Sequence, residues 1–113
     1  MLISGDVVDL DLGLPEGSEA GFRHPAIVVT AQRILDHAPC VVHVIPLTTT
    51  IRGFHSEVTV EPDVVNGLVQ RSAAQCQHIR SLSPKRILRA RGNVGAVTLG
   101  QLRETIAAVL DLP

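Results

Sequence analysis

Cys40-Val41-Val42-His43-Val44-Ile45-Pro46-Leu47, running directly into Thr48-Thr49-Thr50, is a nearly unbroken apolar run closed by three hydroxyl residues. A run this short, rich in β-branched side chains and ended by a turn signal at Arg52-Gly53, reads as a strand buried on both faces. Upstream, Pro25 to Thr30 is a second continuous apolar strand, and Thr30 to His37 has room for one or two helical turns. Further out, Gly5 to Leu12 alternates Val8, Leu10 and Leu12 with Val7, Asp9 and Asp11, the period of a strand. Between these two strands Gly13 to Gly21 is a loop punctuated by Gly and Pro, long for a hairpin, and such loops on small scaffolds often carry function.

Downstream of the central run, Ser56 to Glu61 alternates, and Pro62-Asp63 and Asn66-Gly67 mark turns. Ser72 to Arg80 is unusual. Read as one strand, it carries Ser72, Ala74, Cys76, His78 and Arg80 on one face and Ala73, Gln75, Gln77 and Ile79 on the other. Neither face is cleanly apolar, which suits an exposed edge or part of a site. Ser83-Pro84 opens a short helical turn with Ser as N-cap and Pro in the first position. Ala90 to Gly95 is a last short strand. Thr98 to Leu110 is the clearest helix: Thr98 and Gln101 form a capping-box pattern, and Leu99, Leu102, Ile106 and Val109 share one face. Short strands followed by a terminal helix, in a chain this small, are best satisfied by a partly closed barrel, since closure removes exposed edges.

The chain has 113 residues, one domain by size, and 45% of them are hydrophobic, enough for a core and too many for disorder. Two residues, Phe22 and Phe54, are its only aromatics, which argues against a nucleic-acid binder built on stacking platforms. Net charge is −1, so any nucleic-acid contact must be a local patch. Charge is unevenly distributed: nine acids and three bases stand up to Asp63, two acids and seven bases after it. Such asymmetry can set a basic face against an acidic one. The high apolar content in a small domain suggests burial against a second copy. Cys40 and Cys76 form no CxxC motif and read as two buried thiols of a reducing compartment. With no signal peptide and no membrane-length apolar run, the expected location is the cytoplasm, without a membrane partner.

Five histidines (His24, His37, His43, His55 and His78) invite a metal reading, but no HExxH or zinc spacing is present, so no metal or other cofactor is expected. His43, inside an apolar strand, reads as a core or interface histidine. No GxSxG and no phosphate-cradling glycine loop occurs. Asp9, Asp11, Glu16 and Glu19 offer carboxylates, a weak signal because acidic loops are usually just solvated. What remains is a set of polar and cationic groups at strand ends: Arg23 and His24, Thr48, then Gln75, Gln77, His78 and Arg80. Cleaving a phosphodiester needs such a set, with a cation and a hydroxyl for the developing charge and a group of near-neutral pKa to move protons. The same residues also suit ordinary turns and solvated strand ends.

The order of these pieces resembles the MazF/PemK family of toxin endoribonucleases over nearly the whole chain. The resemblance is carried by Gly5-Asp6-Val7-Val8, Asp9 to Leu12, Gly17-Ser18-Glu19, Pro25 to Thr30, Val44 to Thr50, Asn66-Gly67-Leu68, the segment ending Ile79-Arg80-Ser81, and the helix closing in Val109 to Leu112. It implies a mainly β (α+β) fold over residues 1–113, a small SH3-like, partly closed barrel with a C-terminal α-helix. It also implies a homodimer that cuts single-stranded RNA, mostly messenger RNA, at short sequences without a metal, arrests translation, and is blocked by a cognate antitoxin. The implied reaction is attack by the ribose 2′-hydroxyl on the adjacent phosphorus, giving a 2′,3′-cyclic phosphate and a 5′-hydroxyl.

Carried over by position, Thr48 matches the family's catalytic threonine and Glu19 its acidic loop residue, with Ser18 adjacent. The family's catalytic arginine stands directly before the proline; here His24 stands there and Arg23 one residue earlier. Because a one-residue shift on a strand reverses the face, either His24 takes the role or the loop lets Arg23 reach the phosphate. At Gln77-His78 the family commonly has an acid followed by glutamine. The expected catalytic residues are therefore Arg23, His24 and Thr48, with Ser18, Glu19, Thr49, Gln77, His78 and Arg80 in RNA contacts. Two rivals stay open. A CcdB-type gyrase poison shares the barrel, but its aromatic C-terminal end is absent here, and a non-catalytic binder of RNA or antitoxin would account for the missing arginine.

Overall fold

The computed structural model describes residues 1–13 and 23–113, Arg23 by its backbone only. The chain runs β1 (Asp6–Asp11), β2 (Arg23–Val28), α1 (Gln32–Leu35), β3 (Val42–Thr48), β4 (Glu57–Val60), β5 (Ser72–Gln75), β6 (Arg80–Leu82), β7 (Ile87–Asn93) and α2 (Gly95–Val109). The apolar central run becomes β3, and it organises the sheet. One edge pairs antiparallel with β2, Ala26 opposite Pro46 and Val28 opposite Val44. The other edge is shared: β6 takes its first half, Val42 opposite Leu82, and β5 its last residues, Thr48 opposite Ala73. The path β4-β5-β3-β2-β1-β7 is antiparallel and stays open, ending at β4 and β7, which fits the partly closed barrel expected.

Both faces of β1, β2 and β3 are buried, which is why these strands read as apolar runs rather than clean alternations. On one face Val7, Ile27, Ile45 and Leu47 pack with Val60, Leu68, Cys76 and the fully buried Leu102 of α2. On the other, Val8, Leu10, Ala26, Val28, Val42 and Val44 pack with Leu35 of α1 and Leu82. The outer edge of β7 is covered by the turn after β4. There the buried Asn66 accepts from the Asp63 and Leu68 amides and donates to the Glu61 carbonyl, and Asn93 donates its amide to the Val65 carbonyl. The approach is close enough to require glycine: at Gly67 (φ +69°) a Cβ would lie 2.6 Å from the Arg91 carbonyl oxygen.

Four expectations need correction. Ser72 to Arg80 is not one strand: after Gln75 the chain makes a 3-10 turn over Cys76–His78 and resumes as β6. The cause is a tertiary contact, because the Cys76 amide donates to the Ser56 carbonyl (3.0 Å) and the thiol is buried. The last strand begins at Ile87 and ends at Asn93, and α2 begins at Gly95, so Thr98 and Gln101 lie inside the helix and form no capping box. The Asn93 carboxamide oxygen instead accepts from the Gly95 amide (2.8 Å). The two thiols are not both buried: Cys40 is exposed, and both are free. Burial pushes the Cys76 thiol up to about 11, so it stays protonated and unreactive. His43 is exposed rather than part of the core, because Val42 and Val44 on either side point inward.

Candidate active site

His24 enters the structure on β2, opposite Leu10 of β1. Continuing the β2–β3 register two residues past the Ala26–Pro46 pair brings His24 level with Thr48, and a hydrogen bond between His24 and the backbone of Leu47 spans that gap. On the far side of β3, β6 sets Arg80 opposite Val44. The 3-10 turn just before β6 delivers His78. The result is a hollow of about 310 Å³ lined by the apolar Leu10, Leu12, Val44 and Pro46 and by His24, His78 and Arg80.

The electrostatics of this hollow follow from its walls. Burial lowers the pKa of His24 below the ordinary 6.5 and the Arg80 charge acts the same way, against the opposing hydrogen bond to Leu47. At neutral pH its ring is therefore uncharged and able to accept a proton. His78 and Arg80 are exposed at the mouth. Thr48, half-buried at the end of β3, follows Pro46 and Val44 at two-residue steps, so strand alternation puts it on their side of the sheet. Its Oγ1 accepts from the Thr50 amide (3.1 Å).

Other expected site residues go elsewhere. Thr49 lies in a second hollow of about 290 Å³ with Pro25, Ser72 and Arg91. Gln77 donates to the Glu57 carboxylate (2.7 Å), away from His78. Arg23 is placed by its backbone opposite Asp11. Ser18 and Glu19 lie outside the described residues. Among the described residues no three His, Cys, Asp or Glu side chains are grouped to hold a metal ion, and no helix is long and apolar enough to cross a membrane.

Two polar centres escaped the sequence reading. Glu57, whose side chain is almost fully buried, accepts from Arg52 (2.9 Å), Gln75 and Gln77, while Arg52 lies over the Phe54 ring at 4.7 Å. Asp9 is buried and pairs with Arg89 (2.7 Å) and Arg91 (2.9 Å) of β7. The only available signal for Glu57 was its place at the start of an alternating strand. For Asp9 it was a charge on a strand otherwise buried.

Fold and hollow together define a class: a small antiparallel-sheet domain with two histidines and an arginine gathered in one hollow. The particular family follows from comparison. A family model described as the PemK-like, MazF-like toxin of type II toxin-antitoxin systems matches residues 3–110, and the chain belongs to that family. It is 34% identical to Endoribonuclease MazF9 of Mycobacterium tuberculosis, covering 99% of this chain and 98% of that one. It is also 34% identical to Endoribonuclease MazF3 of the same species, over 78% of this chain and 82% of the other. Among solved structures, Mycobacterium tuberculosis toxin MazF-mt6 superposes with a TM-score of 0.77 at 28% identity, covering 96% of this chain and 98% of that one. A mycobacterial endoribonuclease in complex with its cognate antitoxin gives 0.80 at 24% identity, over 100% and 98%, a likeness of fold.

Proposed function

We propose that this chain is a cytoplasmic, metal-independent endoribonuclease toxin that cuts single-stranded messenger RNA at specific short sequences and so arrests translation. It acts as a homodimer and is neutralised by a cognate antitoxin. Family membership and near full-length relatives named endoribonucleases support this reading. The observation that carries it is the hollow in which His24, His78 and Arg80 meet beside the Thr48 strand end.

The chemistry is transfer within the RNA. The ribose 2′-hydroxyl attacks the neighbouring phosphorus, the bond to the 5′-oxygen breaks, and a 2′,3′-cyclic phosphate and a 5′-hydroxyl result. A flexible single strand can reach the in-line geometry this demands. His24, in the place of the family's arginine, moves a proton; Arg23 and Arg80 attract the phosphate; the Thr48 hydroxyl stabilises the charge that develops on its oxygens. Ser18, Glu19 and Thr49 contact flanking nucleotides, and His78 faces the RNA from the mouth of the hollow.

Long single-stranded RNA incubated with the protein in EDTA tests this directly, with the ends of the products mapped. Discrete cuts with cyclic-phosphate ends are expected. Thr48→Ala and His24→Ala should each slow them by about 10²-fold or more, and comparison with Arg23→Ala identifies the replacement for the family's arginine. A folded protein that binds RNA but cuts none of several sequences would instead be a non-catalytic binder.

A further inference from the structure

We propose that His24 and His78 form a proton-transfer pair, with His24 the general base and His78 the general acid. This deepens the endoribonuclease reading and rests on it. The two imidazoles come from different elements, β2 and the 3-10 turn over Cys76–His78, yet line one hollow. Each is held by its surroundings. His24 is tied to the Leu47 backbone. The turn bearing His78 is fixed by the Cys76 amide on Ser56, by the Ile79 amide on the Cys76 carbonyl (3.2 Å), and by Gln77 on Glu57. Gln77 is thus a positioning residue: anchored on the buried Glu57, it leaves its neighbour His78 on the opposite side, facing the hollow.

Among the described residues the other walls offer no alternative acid or base. β1 contributes Leu10 and Leu12, β3 contributes Val44 and Pro46, and β6 contributes Arg80, which stays cationic throughout. Among the described residues no carboxylate lines this space. With its pKa lowered, His24 starts uncharged and takes the 2′-hydroxyl proton as the 2′-oxygen bonds to phosphorus. His78 gives a proton to the 5′-oxygen as that bond to phosphorus breaks. Arg80 faces the non-bridging oxygens. One proton enters the pair and one leaves it, so no external co-reactant is needed, although the two rings must exchange a proton with water before the next turnover.

The test compares wild type, His24→Gln and His78→Gln on two single-stranded RNAs. One is natural; in the other the scissile 5′-bridging oxygen is sulfur, whose thiolate leaves without a proton. His78 is exposed, so its replacement leaves the core untouched. Wild type should show a bell-shaped pH profile. His78→Gln should cut natural RNA about 10²- to 10⁴-fold more slowly, lose the alkaline limb, and recover most of its rate on the sulfur substrate. His24→Gln should be equally slow, lose the acid limb, and stay slow on both. Binding of an uncleavable 2′-deoxy analogue should be within a few fold of wild type for each variant. Cleavage of natural RNA by His78→Gln within threefold of wild type, with an unchanged profile, would overturn the pair while leaving the nuclease intact. Rescue of His24→Gln instead of His78→Gln would overturn the assignment of roles, and no cleavage by wild type would overturn both the function and the pair.

Discussion

Asp9 carries a charge into a strand whose neighbours are all buried, and two guanidiniums of β7 meet it there. Burial alone would raise its pKa, but hydrogen bonds and charge from Arg89 and Arg91 hold it below the ordinary 3.8. The ionised carboxylate therefore stabilises the fold fully above 3.8, and that contribution disappears as the pH falls through the lower folded value. Asp9→Asn should lower stability at pH 7 by about 1.5–3 kcal/mol, the usual worth of hydrogen bonds to a charged group. Urea midpoints of the two proteins should converge well below pH 3.8; a gap that persists there would show that packing, not charge, is at stake. Histidine behaves differently at His24. Its lowered pKa means that protonation disfavours the folded state, so stability falls below pH 6.5, over the same range in which the acid limb of cleavage develops. His24 and Thr48 were singled out as catalytic in the sequence only through the positions they match in the family. Asp9 was not legible, because its partners stand some eighty residues away, and only the β1–β7 register brings them together.

At the scale of elements, α2 shows what periodicity can and cannot fix. The apolar spacing correctly marks Leu102 as buried, with Leu99 and Ile106 packed beside it, but Val109 is 40% exposed. Helix existence comes from the stripe; its start comes from Asn93, a residue that reads as the end of a strand until its carboxamide is seen to hold the Gly95 amide. Leu102→Ala should cost about 2–5 kcal/mol by cavity formation, measured by chemical denaturation, whereas Val109→Ala should be close to neutral. The far end closes differently. The Leu112 amide donates to the Ala107 carbonyl (2.7 Å) and the Asp111 amide to Ala108 (3.2 Å), a Schellman arrangement with Asp111 at φ +54° where glycine is usual. Asp111→Gly should therefore stabilise α2 by up to about 1 kcal/mol, with thermal midpoint as the readout. The segment from Ser72 to Arg80 was illegible for the same kind of reason as the helix start. Alternation suggests a strand throughout, and the break at Cys76 is made by a carbonyl from the residue before β4. That break is what turns Gln77 and His78 to different sides.

Across the whole molecule, the acidic first part and basic second part do not become opposite faces. β1 lies between β2 and β7, so Asp9 meets Arg89 and Arg91, and Glu61 meets Arg71 at 2.6 Å. Three of the seven later bases are thereby matched to earlier acids. Of the other four, Arg103 is held by the Ser4 hydroxyl and the Val29 carbonyl, whereas Arg80, Lys85 and Arg86 form no ion pair among the described residues and follow one another along β6 and the turn into β7, with Arg80 on the hollow. Attraction for a polyanion is thus concentrated in this short stretch rather than spread over the basic half. For single strands the logarithm of affinity falls with the logarithm of salt by about 0.7 per phosphate neutralised. Three unpaired cations then give a slope of about −2, while all seven bases would give about −5. Titrating an uncleavable single-stranded RNA at several salt concentrations separates these. Arg80→Ala and Lys85→Ala should each make the slope shallower by about 0.7, whereas Arg71→Ala should leave it unchanged because Glu61 already occupies that cation. A slope near −5, or equal losses from Arg71→Ala and Lys85→Ala, would mean that RNA displaces the internal ion pairs, and that the matched arginines of β7 belong to the binding surface after all.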